Sequence, residues 1–315
     1  MQAAAGSATM NSMGKPQTFL TGLMLAVLAP LPRIAAQDAP AAVKKGLFWK
    51  ATSGANSIYL LGSIHIGSKE MYPLPKEFED AFSASKSLIV EVDVNHLDMG
   101  KMQAQMLSRG MYGGDDSLWS HVSADTRKRL EEFCDKYEMP SMILSKMKPW
   151  LVSLTVSTLP MIKAGMDPNL GIDKHFLDKA ATDSQKKNVV ELETAEWQMN
   201  LLSGFSDEVQ AKMLESSVSE AAKSLEHGKK VEELWMAGDA EKVAAALKED
   251  SGPPEVEKAL LYDRNPHMAE VAEQYLKGKD QAFMVVGAAH LVGKEGVVSI
   301  LQKRGYKVQQ VNLAQ

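Results

Sequence analysis

The 315-residue chain contains a single cysteine, Cys134, so it cannot form an internal disulfide. That cysteine lies in Arg129-Leu-Glu-Glu-Phe-Cys134, a helical pattern that makes it a small core residue with no catalytic context. Other familiar chemistries are missing as well. None of the seven histidines is followed by glutamate, which excludes an HExxH zinc motif. No Gly-x-Ser-x-Gly elbow and no Gly-x-Gly-x-x-Gly loop occurs, which disfavours a classical serine hydrolase and a Rossmann dehydrogenase. Aromatics are only 6% of the chain, but 45% hydrophobic residues suffice for a sizeable core. Nineteen methionines contribute to that core, since methionine at helical spacing is core filler before it is a ligand.

Acidic residues are absent from the first 36 positions. Lys15 is followed by an apolar run from Phe19 to Leu31, then by small residues at Ala35-Ala36. This layout predicts a secretory signal peptide over residues 1–36, with Met10 or Met13 as alternative starts, and a short linker over 37–46. The apolar run falls short of the roughly 20 residues a membrane span needs. No cysteine follows it, which argues against a lipid anchor. Losing Lys15 and Arg33 leaves 33 basic against 40 acidic residues, a net charge of −7. A chain so acidic has no electrostatic footprint for nucleic acid. The expectation is a periplasmic or secreted protein without a stable membrane span after cleavage. Its oligomeric state is open.

Strand patterns lie at both ends of the remaining chain. Leu47–Thr52, Ile58–Leu61, Ser87–Asp93, Asn188–Glu193, Ala282–Val286 and Tyr306–Val311 read as strands, several wholly apolar and so buried on both faces. Helical patterns fill the middle, about 96–165 and 195–280. The fold class expected is α/β, one domain over 47–315, with a sheet system formed by the N- and C-terminal parts and a large helical insertion. Ser123, Asp173, Thr194 and Asn265 read as helix N-caps, Asn265 being followed by Pro266.

A short pattern occurs twice. Tyr59-Leu-Leu-Gly62-Ser-Ile-His65-Ile-Gly67 and Val285-Val-Gly287-Ala-Ala-His290-Leu-Val-Gly293 each run from an apolar strand through glycine to histidine. Glycine permits a sharp turn or a close approach, and the histidine then stands near a strand's carboxyl end, where open α/β sheets place their sites. A neutral imidazole there suits metal ligation or general-base work. The spacing alone does not bring His65 and His290 together. Glu91, inside the apolar Leu88–Asp93, is costly to bury without a cation or histidine beside it. Glu191 and Glu193 form a weaker pair. Arg264 suits a substrate carboxylate or phosphate, or simply the surface.

Taken together, these segments resemble the TraB/GumN family, which includes the Tiki proteins. The resemblance rests on Leu47-Phe-Trp-Lys50, Leu61–His65 with Met71–Pro75, Leu88–Asp93, Gly171-Ile-Asp173, and Glu191–Thr194 with Gln198. It also rests on Arg264-Asn265, Val286–Leu291 and Gly305-Tyr306. It implies a fold related to erythromycin-esterase and ChaN-like proteins. It further implies a metal-dependent, peptidase-like hydrolase with His65, His290 and Glu91 as metal ligands or catalytic groups. Arg264 and Asn265 would position substrate. Manganese, cobalt or zinc suits that donor set. The partner expected is a peptide or other small exported substrate. Unlike Tiki proteins, this sequence shows no C-terminal transmembrane pattern. Two alternatives stay open: a metal-free esterase-like hydrolase, and a non-catalytic periplasmic protein that binds haem or metal.

Overall fold

The computed structural model describes residues 45–311 except 55, 185, 250 and 251, and residue 313. The expected signal peptide, and all of the linker but its last two residues, lie outside the described residues.

Phe48–Thr52 (β1) and Ser57–Ser63 (β2) form an antiparallel hairpin. Ser87–Val90 (β3), Asn188–Glu191 (β4), Ala282–Gly287 (β5) and Lys307–Gln310 (β6) complete one six-stranded sheet, ordered β4-β3-β5-β2-β1-β6. The four strands β4, β3, β5 and β2 run parallel. β5 and β3 are buried at every position, as parallel strands covered on both faces must be.

Two strands are shorter than their apolar patterns suggested. β3 stops at Val90 and β4 at Glu191, not at Asp93 and Glu193. The chains still bond as they leave the sheet, Leu192 N–H to Val90 O at 2.9 Å and Glu193 N–H to Glu91 O at 3.0 Å. For β3 the reason is charge: a carboxylate cannot continue into a doubly covered sheet, so the strand ends where Glu91 begins, whereas the part-exposed edge strand β4 keeps Glu191 as its last residue.

Helices Lys76–Ala84 (α1), Met99–Gly110 (α2), Ala124–Lys136 (α3), Pro149–Lys163 (α4) and Ile172–Thr182 (α5) follow β2 and β3. Ala195–Ser203 (α6), Asp207–Glu220 (α7), Ser224–Ala237 (α8) and Ala240–Glu249 (α9) come after β4. Asn265–Lys277 (α10) precedes β5, and the single turn Ala288–Leu291 (α11) and Val297–Lys303 (α12) come after it. The architecture is α/β with a helical insertion.

Two apolar cores result. One clothes the sheet: Phe78 and Phe82 of α1 meet Phe48 and Phe283 with ring centroids at 4.8 and 5.9 Å. Burying each such side chain contributes about 1.5–3 kcal/mol. The other lies among the inserted helices, around Leu130, Trp150, Val152 and Leu214, and holds Cys134 as a buried free thiol. Trp235 of α8 ties the insertion to the sheet by donating Nε1–H to Gly62 O at 2.6 Å. Among the described residues no helix is long and apolar enough to cross a membrane.

Candidate active site

The two Gly-x-x-His segments are neighbours in the sheet. β2 and β5 pair in parallel, with Gly62 opposite Val286 and Ser63 opposite Gly287. The motifs are therefore side by side but one residue out of step. β3 flanks β5 on its other edge, so the chain leaving three adjacent strands delivers His65, Glu91 and His290 to one carboxyl-terminal rim. His65 stands in a loop with 53% of its side chain exposed, while His290 sits on α11 with 4%.

Both imidazoles turn Nε2 toward the same carboxylate. His65 Nε2 lies 3.6 Å from Glu91 Oε1, and His290 Nε2 lies 3.6 Å from Oε2. Those gaps are too long for direct hydrogen bonds. The opposite ring nitrogens are held firmly. His65 Nδ1 is 2.9 Å from Asp173 Oδ1. His290 Nδ1 is 2.7 Å from Asn265 Oδ1, and Asn265 Nδ2 donates to Glu295 O at 2.8 Å. Because the amide nitrogen of Asn265 is committed to a carbonyl, its oxygen must accept from His290 Nδ1–H. A neutral His290 therefore carries its lone pair on Nε2, facing Glu91.

Glu91 is gripped from several sides. Gly287 N–H donates to Oε1 at 2.7 Å, and Arg264 donates to Oε2 at 2.5 Å. Gln198 Nε2 reaches Oε2 at 3.4 Å. Burial alone would raise this carboxyl, but the facing His290 and His65 outweigh it and hold the group well below the usual carboxylate range. For His65 the negative charge of Asp173 dominates over burial and raises the imidazole well above its ordinary value. Burial pushes Asp173 upward, but His65 and the Ser63 hydroxyl more than offset that and keep it ionised.

Gly287 is where even a methyl group would crowd the site. A Cβ there would lie 3.0 Å from His65 Nε2 and 3.2 Å from Glu91 Oε1, inside the space that the three groups enclose. Gly171 has a related duty one layer out. Its Cβ would meet the His65 carbonyl oxygen at 2.6 Å, so glycine lets the Gly171-Ile-Asp173 segment press against the histidine loop. Asp173 is then the second residue of α5, with Gly171 in the capping position, and its carboxylate goes to His65 instead of capping the helix. The N-cap expected there is corrected accordingly.

Asn265 is likewise no N-cap. It is the first residue of α10, is 1% exposed, and its side chain serves His290. Arg264 lines the cleft, but Nε and Nη2 donate to Glu193 at 2.7 and 2.6 Å, Nη2 also to Glu91, and Nη1 to Leu260 O at 2.7 Å. Both residues thus hold the His–Glu–His cluster in place. Glu193 joins the site through Arg264, whereas Glu191 turns away to accept the Asp93 N–H at 2.7 Å. Asp173 was legible only as a cap, because nothing in its spacing connects it to a histidine 108 positions earlier.

An α/β sheet with a polar cluster at the rim of its parallel strands defines a protein whose site is assembled from both ends of the chain. The chain belongs to the TraB/PrgY/gumN family, whose model matches residues 47–310. It is 27% identical over 154 residues to the Escherichia coli (strain K12) protein printed as "Uncharacterized protein YbaP", covering 49% of this chain and 54% of that one. An uncharacterised Treponema pallidum (strain Nichols) protein is 21% identical over 179 residues, 56% of this chain and 52% of its own length. The chain thus spans about half the length of these curated relatives. No solved structure matches it.

Proposed function

We propose that this protein is an exported hydrolase that cleaves an amide or ester bond with the help of a divalent metal ion held by His65, His290 and Glu91. One observation carries the reading: two imidazoles with anchored Nδ1 atoms turn Nε2 onto one ionised carboxylate, each 3.6 Å from a different oxygen. In a tetrahedral site with bonds of about 2.1 Å, neighbouring donors stand roughly 3.4 Å apart, close to this spacing. The anchoring of each Nδ1 by an oxygen acceptor is the support that metal-bound histidines typically have. Among the described residues Oε1 of Glu91 accepts only from Gly287 N–H, so a lone pair remains for a cation.

A divalent ion supplies Lewis acidity that polarises a substrate carbonyl. The chain's own residues do the rest. Asp173 and Asn265 hold the imidazoles in orientation, and Arg264 keeps Glu91 aimed between them. The family includes peptidase-like members by resemblance, and an exported peptide or other small amide or ester is the substrate class proposed. Export rests on the N-terminal pattern alone. Cell fractionation with N-terminal sequencing tests it, the expected result being a periplasmic or secreted chain beginning near Gln37.

A second reading is favoured by Arg264. Its hold on Oε2 neutralises part of the charge a metal would use, and among the described residues no three His, Cys, Asp or Glu side chains form a group that could hold a metal ion as they stand. In that reading His65, half exposed and backed by Asp173, takes a proton from water at Nε2 and returns it to the leaving group. Metal analysis of the wild type beside His65→Ala and His290→Ala separates the two. Metal bound by the wild type and lost in both variants supports the first. Hydrolysis that persists after exhaustive chelation, with no metal in the wild type, supports the second.

A further inference from the structure

The cluster opens into a cavity of about 590 Å³ between the sheet core and the helical core. That volume is within the range of small-molecule sites. Away from the cluster its wall is mainly apolar, with Met161 of α4, Met213 of α7, Val231 of α8, Leu247 of α9 and, beyond α9, Val256 and Leu261, interspersed with serines of α4 and α7 and with His227 of α8. Among the described lining residues there is no lysine, and Arg264 is already held between Glu91 and Glu193. Glu220 of α7 adds a carboxylate to the wall. That carboxylate already has Lys223 at 3.7 Å, so an anionic group lying away from His65 meets no lysine or uncommitted arginine of the described lining. Methionine thioethers adapt to chains of differing shape, which suits an aliphatic occupant better than a rigid one.

Resting on the hydrolase reading, we propose that the substrate carries an uncharged aliphatic acyl arm, which lies in this methionine-lined cavity while the scissile carbonyl stands at His65. Each added methylene removed from water strengthens binding, so longer acyl groups gain until the cavity is full. A terminal carboxylate on the arm cancels the gain, because it must be desolvated against a mainly apolar wall. Ser157 of α4 lines the same wall, and a large ring there would occupy the arm's space.

The test uses the purified protein with acetyl, butyryl, hexanoyl and octanoyl p-nitrophenyl esters and with a succinyl ester, in wild type, His65→Ala and Ser157→Trp. Binding of octanamide is measured by calorimetry alongside. The expected result is a kcat/KM that rises by at least about tenfold from acetyl to octanoyl, with succinyl no better than acetyl. Ser157→Trp flattens the series, and octanamide binds the wild type but not Ser157→Trp. A flat series, a preference for succinyl, or octanamide binding unchanged by Ser157→Trp overturns the proposal while His65-dependent hydrolysis stands. If no ester is hydrolysed in a His65-dependent way, the hydrolase reading fails instead, and octanamide binding then decides the cavity's preference by itself.

Discussion

His290 Nδ1 meets Asn265 Oδ1 at 2.7 Å in a place where Asn265 is only 1% exposed, and that contact decides which nitrogen of a buried imidazole faces Glu91. Replacing Asn265 with alanine frees the ring to turn or to change tautomer. Loss of such a supporting partner typically costs 10–100-fold in metal affinity or activity. Chelator competition on Asn265→Ala should show a weakening of about that size, and Asn265→Asp, which keeps the oxygen acceptor, should recover most of it. Equal affinity in wild type and Asn265→Ala would mean the contact only packs α10 against α11.

Arg264 lies between Glu91 and Glu193, with 9% of its side chain exposed against 11% and 8% for the two carboxylates. Arg264→Met removes the guanidinium that Glu91 and Glu193 share, leaving Glu193 buried without it while Glu91 keeps the two imidazoles that face it. Breaking such a buried pair typically costs about 3–5 kcal/mol. Urea unfolding of metal-free protein should show a loss near that size. Added metal ion should restore part of it in the variant, since a ligand that binds only the folded state stabilises it. A variant as stable as the wild type would show that the carboxylates had taken up protons or rearranged to reach water.

The fold was legible in outline because its signals are local. Runs such as Ala282–Val286 are wholly apolar and too short for a typical helix, as strands buried on both faces are, and both ends of the chain carry them. The glycine–histidine pairs and Glu91 were legible as unusual residues, and the sheet order explains why they meet: β2, β5 and β3 are adjacent although 218 residues lie between the end of β2 and the start of β5. The supporting layer was misread for a physical reason. Asp173 and Asn265 sit at helix starts, where a short polar side chain has an obvious local partner, and only the folded chain shows that each has a distant one. Glu91 was placed inside a strand because its neighbours are apolar. It is in fact the first residue past the strand, which is how a carboxylate follows a doubly covered sheet without being sealed in it.

Asp173 raises His65, so the two should be separable by pH. In Asp173→Asn the imidazole returns toward its ordinary value of about 6.5. Its neutral, lone-pair form is then available at lower pH, and the acid limb of activity, or of metal uptake, should move downward in pH relative to wild type. The stability effect has the opposite sense. Because the folded-state value is raised, the His65–Asp173 contribution is complete below about pH 6.5 and fades as pH rises through the raised value. Asp173→Asn should therefore lose more stability in mild acid than in alkali. Titration of the acid limb and urea midpoints across pH check both. An unmoved acid limb would show that Asp173 supports the loop and not the imidazole.

Gly287→Ala gives the narrowest probe of the cluster. The backbone there, with φ −47° and ψ 136°, is open to any residue, so alanine introduces no backbone strain. Its single methyl would nonetheless sit 3.0 Å from His65 Nε2 and 3.2 Å from Glu91 Oε1, closer than a Cβ packs comfortably. The same residue's N–H is the donor that fixes Oε1, so any shift that relieves the methyl also moves Glu91. Displacements of about 1 Å at a reacting centre cost on the order of 10²-fold in rate. The expected outcome is a variant that unfolds at nearly the wild-type urea concentration but has lost about two orders of magnitude in kcat/KM, with metal content reduced in parallel. Full activity in a folded Gly287→Ala protein would place the chemistry somewhere other than the space shared by His65, Glu91 and His290.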